Sequence, residues 1–394
     1  SSGGELVNSL TETDKKIIID VTDEFDYSTQ NEEYSKEFKN WRRNRSNHFA
    51  FNFSMNKKES VYVDGKGFET GSLKEAENEC ISRLMYIIGI AMLIWVTIDN
   101  ILSRMVITVL DFLGFDIHTS IFSSAIFGGS VEIITALMLI ALLRLIIPAI
   151  YLHKKLKMPK RVEFMRTLHH PSDMICSICM TLVVSSVSSI PLLYNSSAKA
   201  LYTYFKNLNV DISVWDQNEY VVYTIFNVII IPILAEMLFR GAIFAALRQF
   251  GDWFAIIITT LMTGLLVQDI QEFPAAVLIS LVASIGMLRS GSLITAIFVR
   301  TIYKMYQLAV VIIQAGALGN SNKMLTTFIL GTFIIGAACS IHFYFVLYRK
   351  NSLRIVKYNS GVSMPRRILN AVRLFPFPAV AVMCLISAII KIIF

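Results

Sequence analysis

Four ionisable residues stand in stretches otherwise apolar enough to be membrane spans. Glu236 and Arg240 lie in 231–241 (IPILAEMLFRG), and Arg300 and Lys304 lie within 292–314. Each pair is spaced i,i+4, which puts both members on one face of a helix. A charge inside a span is costly and usually turns toward the bundle interior, where it carries function. The economical arrangement opposes the two faces and pairs Glu236 with Arg300. Lys304 then lies deeper, with no obvious partner and a local surplus of positive charge. Two readings follow: a buried ion pair that fixes helix register, or a polar cavity open to the cytoplasm that binds a partner, peptide or anion. Glu132 and Arg144 fall near the two ends of their own span, where snorkelling accounts for them, and Arg240 has the same option.

The elements that position these residues follow from composition. Of 394 residues, 54% are hydrophobic and only 16% charged, against about 25% charged in soluble domains. Residues 1–80 carry 16 acidic and 11 basic side chains, and residues 81–394 carry 13 and 25. A soluble enzyme, a secreted scaffold and a nucleic-acid binder are therefore excluded; the bilayer is the first partner. A hydrocarbon core of about 30 Å needs roughly 20 apolar residues per helix. Nine candidate spans meet or approach that length: 82–98, 130–151, 174–194, 220–240, 254–267, 274–288, 292–314, 324–348 and 376–394. The fold class is an all-α polytopic membrane protein with eight to nine transmembrane helices. Residues 101–128 read as an interfacial or half-inserted helix.

Loop charges set the orientation. The loop 152–172 holds Lys154, Lys155, Lys157, Lys160, Arg161 and Arg166 against Glu163 alone, and 349–373 holds seven basic residues and no acid. The acidic loops 195–219 and 268–273 fall on the other side. A cytoplasmic N-terminus satisfies all of them and puts Arg248 and Arg289 inside as well. Residues 1–80 form a polar cytoplasmic segment, with 5–37 close to a disordered tail and alternation around 48–64 permitting a small hairpin. That segment is either a docking element for a partner or a solubilising tail. The five cysteines give no disulfide framework, and Cys176 and Cys179 read as helix packing.

The charged segments resemble the CPBP family, the intramembrane proteases related to CAAX prenyl proteases and to bacteriocin-processing (Abi) proteins. The family pattern has Glu-Glu-x-x-x-Arg-Gly, then Phe-x-x-x-His, then His-x-x-x-Asn. Here Ala235, Glu236, Arg240 and Gly241 stand at the first motif, Thr263 and Val267 at the second, and Arg300 and Lys304 at the third, after an Arg289-Ser290-Gly291-Ser292-Leu293 turn. The resemblance implies a CPBP-like core over about 174–314 within a membrane domain of 81–394, in a bacterial plasma membrane. It also implies a water-activating glutamate and histidine, and an oxyanion-stabilising His–Asn pair. In this chain those positions hold Ala235, Val267, Arg300 and Lys304, so only Glu236 and Arg240 keep their family identity. None of the six histidines stands at a motif position, no zinc-ligand motif exists, and no cofactor is expected. His342 reads as a helix–helix hydrogen-bonding group. The expectation is a catalytically inactive family member. It would bind or regulate a membrane protein or peptide through a pocket of Glu236, Arg240, Arg300 and Lys304. The alternatives are an active divergent endopeptidase using Glu236, and a transporter or lipid-handling protein.

Overall fold

Backbone polar groups inside hydrocarbon must be satisfied within the chain, and the membrane domain meets this almost wholly with helices. The computed structural model describes residues 17–19, 32–44, 47–51, 53–55, 61–63, 67–69, 73–119, 126–194, 217–314, 321–349, 355 and 362–393. Among them seven helices are long and apolar enough to cross a bilayer, or eight if one bent pair counts as a span. The polar head contributes α1 (Glu32–Arg43). The seven long helices are α2 (Lys74–Phe112), α3 (Ser130–Leu156), α5 (Pro171–Leu193), α6 (Asn218–Phe250), α8 (Phe273–Ser290), α9 (Leu293–Gln314) and α10 (Ser321–Arg349). Between them lie the short α4 (Lys160–Glu163) and the 15-residue apolar α7 (Asp252–Leu266). The bent pair is α11 (Met364–Arg373) with α12 (Phe377–Ile393), at 73°. Thus the fifth expected span is the shorter α7, and the ninth is the second limb of a broken helix. Large apolar side chains stay exposed along the helices, among them Ile229, Ile230, Phe333, Ile334 and Ile335, as lipid-facing surfaces require.

Two helices are longer than their composition suggests. No proline interrupts 74–112, and α2 continues through a π-helical turn at Ile98–Leu102 to Phe112. Residues 101–112 are therefore part of the first helix and not a separate interfacial one. Gly114, at φ 89°, follows its end, and the strands Ile117–Thr119 and Ile126–Gly128 pair antiparallel next. Helix α6 runs past 240 to Phe250. Pro232 removes one backbone donor; π-helical stretches flank it at Phe226–Ile230 and Met237–Ile243, the usual way a helix absorbs such a misfit. Gly251, at φ 101°, then turns the chain into α7. In the polar head, Phe53–Met55 pairs with Ile17–Ile19 and Val61–Val63 with Gly67–Glu69. The expected 48–64 hairpin is replaced by these two separate pairings. The loop 195–216 and most of 350–361 lie outside the described residues.

The main core sits at the basic end of the bundle and includes the head. Helix α1 buries Tyr34, Phe38 and Trp41. Trp41 Nε1 donates to the Leu156 carbonyl at 2.9 Å, and Arg161 pairs with Glu33. Phe51 is fully buried, and its amide donates to Gln249 Oε1 at 2.7 Å. Residues 32–44 and 47–51 are thus a docked layer over the ends of α3 and α6. Arg248, expected on the inner side of the membrane, is fully buried there. It pairs with Asp252 at 2.7 Å and donates to the Tyr34 hydroxyl at 3.0 Å. Arg367 is buried beside it, paired with Glu77 at 3.0 Å and donating to the Phe250 carbonyl at 2.6 Å.

Candidate functional site

The site is built where α6 meets α8 and α9. Glu236 sits in the interior of α6, not close to its end, because the helix continues to Phe250. Its side chain is fully buried, as is that of Arg240, whereas Arg300 keeps 23% of its side chain exposed. Arg300 Nε donates to Glu236 Oε1, and Arg240 Nη1 reaches both carboxylate oxygens at 3.2 Å. The other end of the Arg240 guanidinium is held from α8: Nη2 donates to the Ser280 carbonyl at 2.8 Å and to its hydroxyl at 2.6 Å. Thr263 Oγ1 donates to Ser280 Oγ at 2.7 Å, and Ser280 Oγ donates to Thr260 Oγ1 at 3.3 Å. One hydrogen-bonded chain therefore runs from Arg300 through Glu236, Arg240 and Ser280 to Thr263 and Thr260, linking four helices.

Gly241 completes this turn of α6. A Cβ there would lie 3.0 Å from Phe164 Cε1 and 3.1 Å from the Glu163 carbonyl oxygen. The glycine lets the loop after α4 close over the helix just beyond Arg240. In that loop Glu163 is buried and bonded to His153 Nδ1 at 2.8 Å, and burial pushes its carboxyl above the usual glutamate range.

The remaining motif positions are less tightly joined. Lys304 is half-buried one turn beyond Arg300, and its Nζ donates to Gln307 Oε1 at 3.1 Å; Gln307 Nε2 donates to the Tyr303 hydroxyl at 2.9 Å. Lys304 lies within electrostatic range of Glu272, Arg300 and Arg144. Ala235 is buried on α6. Val267 follows the last residue of α7, and its neighbour Gln268 turns inward with a positive φ of 54°.

That inward turn leads to a second polar group the sequence does not reveal. Gln268 Nε2 donates to Asp99 Oδ2 at 3.2 Å, and Asp99 Oδ1 pairs with Arg144 at 2.7 Å. Arg144, whose side chain stacks 5.2 Å from the Trp95 ring, lies near the middle of α3. It does not snorkel to an interface; its partner is Asp99, which the shorter first span had left outside the membrane. His342 likewise departs from expectation, standing exposed on α10 against the Phe343 ring. Ser280 and Thr260 were also missed, and their signal was slight: small hydroxyls on faces that neighbour Arg240 and Thr263.

Chemically the site is a carboxylate fixed between two guanidiniums. Its cationic outer members, Arg300 and Lys304, can receive an anionic group. Among the described residues no cluster of three or more His, Cys, Asp or Glu could hold a metal ion.

Comparison with known proteins locates the same segment. Residues 217–306, from the start of α6 into α9, match the family described as type II CAAX prenyl endopeptidase Rce1-like. No curated protein and no solved structure matches the chain.

Proposed function

We propose that this multi-pass membrane protein, whose residues 217–306 are of the Rce1-like CPBP family, works as a catalytically inactive member. In this reading it binds or regulates a membrane protein or peptide at the Arg300/Lys304 face. The observation that carries the proposal is the state of Glu236, fully buried and engaged by both Arg240 and Arg300. General-base catalysis needs a group free to accept a proton from water within hydrogen-bond reach. Glu236 accepts from both guanidiniums on Oε1, its Oε2 is buried 3.2 Å from Arg240 Nη1, and the family's paired glutamate and histidine are Ala235 and Val267. What survives is a rigid cationic surface. Arg300 is held by Glu236 at one end of its guanidinium and keeps the rest toward open space, with Lys304 and Gln307 on the next turn. A client carrying a carboxylate, at a chain end or on an acidic side chain near the cytoplasmic membrane face, suits that surface. The family resemblance favours a bacterial plasma membrane, which fractionation of native cells would test.

Purification of the chain from its native membranes tests the reading. A stoichiometric membrane partner should accompany the wild type and be lost in Arg300→Ala. A partner retained by Arg300→Ala counts against the pocket. Cleavage of a membrane peptide by the purified chain, abolished by Glu236→Gln, would establish the divergent endopeptidase instead.

A further inference from the structure

A second site lies at the basic end of the bundle, away from the Glu236 network. A cavity of about 320 Å³ opens between α1, the loop after α3 and the turn joining α8 to α9. Its walls include Lys160, Arg161 and Arg166, with Thr167 beside them and Phe164 and Met165 below. That volume lies within the range of small-ligand sites. The frame is fixed by backbone bonds. The His169 amide donates to the Ser290 carbonyl at 3.0 Å, and the Leu293 amide donates to the Met165 carbonyl at 2.8 Å. The opposite wall is the docked head, held through Tyr34 to Arg248 and through Glu33 to Arg161.

The charge of this cavity is unbalanced. Arg161 is engaged by Glu33 and Glu37. The side chains of Lys160 and Arg166 make no hydrogen bond or ion pair among the described residues, though both border the same space. Lys160 also lies within electrostatic range of the buried Glu163; two cations bordering one cavity still favour an anion with several acceptor oxygens. Phe164 and Met165, both half-buried, ask for an apolar portion next to that anion. Apart from α1, the lining residues belong to the segment between the spanning helices α3 and α5 and to the turn between α8 and α9, and basic residues that flank spans commonly meet lipid headgroups.

We propose that this cavity binds the phosphate of an anionic membrane phospholipid. Lys160 and Arg166 act as its charge partners, and Phe164 and Met165 as the bed for the adjoining glycerol and upper chains. Because Glu33 and Tyr34 form one wall, an occupied site ties the polar head to the bundle through the lipid.

The test uses the full chain in detergent. Binding is titrated with phosphatidylglycerol, with phosphatidylcholine and with inorganic phosphate, for the wild type, Lys160→Gln/Arg166→Gln and Lys154→Gln/Lys155→Gln. The last pair removes two cations from the same membrane face but outside the cavity. Phosphatidylglycerol should bind the wild type in preference to phosphatidylcholine. The cavity variant should weaken it about tenfold, roughly the worth of one charge-assisted hydrogen bond, and the control should retain it. Inorganic phosphate bound by the wild type and lost in the cavity variant, without lipid preference, supports the same anion site with a source in solution. Equal weakening in both variants reduces the effect to surface charge and overturns the proposal, as does the absence of binding by either probe. An unchanged unfolding midpoint in the ligand-free variants confirms that they fold.

Discussion

Replacing Glu236 by Gln is the sharpest probe of the buried network. The substitution keeps the shape of the side chain and removes its charge. Arg240, 1% exposed, loses its counter-ion and keeps the Ser280 carbonyl and hydroxyl, with one amide oxygen to share with Arg300. The new amide also directs a donor at one of two guanidiniums that face each other. Removing one partner of a buried pair costs about 3–5 kcal/mol, because the other charge stays buried and uncompensated. Arg300 does not add in full, since it is 23% exposed and can turn to water. Arg300→Gln should therefore cost less, about 1–2 kcal/mol, because Glu236 keeps Arg240 as its counter-ion. The expected order is Glu236→Gln well below Arg300→Gln in stability. The double variant Glu236→Leu/Arg240→Leu should recover much of the loss, as apolar replacements of buried pairs commonly do. Chemical unfolding of the purified chain in detergent, followed by tryptophan fluorescence, measures all three. A Glu236→Gln protein within about 1 kcal/mol of wild type, or one more stable than Arg300→Gln, would refute the reasoning.

Gly241→Ala should destabilise by about 1–3 kcal/mol, the ordinary cost of overpacking. Its methyl would press on the Phe164 ring and the Glu163 carbonyl; an unchanged unfolding midpoint would show that the loop can move aside at no cost. Burial raises the Glu163 carboxyl above its ordinary value of 4.5, so the folded chain holds that proton more tightly than the unfolded one. Stability contributed there is full below the ordinary glutamate pKa and is lost as pH rises through the raised one. Glu163→Gln should flatten this part of a plot of unfolding midpoint against pH, and an unaltered slope would assign the dependence to other groups.

Hydrophobicity made the membrane class and most spans legible, because a helix in lipid must announce itself by length and composition. Helix ends were less legible. The first and fourth spans were cut at 98 and 240, since Asp99 and Arg240 resemble the polar edge of a span. Each instead has a partner on another turn or helix, the part-buried Arg144 and the buried Glu236, which a hydropathy reading cannot supply. The Glu236–Arg300 pairing was readable, because i,i+4 spacing and similar depth leave few other ways to neutralise two intramembrane charges. Ser280 was not, since a serine inside a span usually bonds its own preceding turn. The burial of Arg248 was not legible, because its partner Asp252 lies across a turn and its other partner, Tyr34, lies 214 residues upstream.

That last separation bears on how the protein is made. Helix α1 leaves the ribosome before the bundle residues it packs against. Its binding surface is assembled from residues near 156–165 and 248, so well over half the chain must be synthesised before the helix can seat. Through that interval Tyr34, Phe38 and Trp41 have one another but not the bundle surface that buries them, while several spans are already being inserted. The docking of α1 therefore follows the synthesis of α6, and seating of α1 reports that α6 has reached its place.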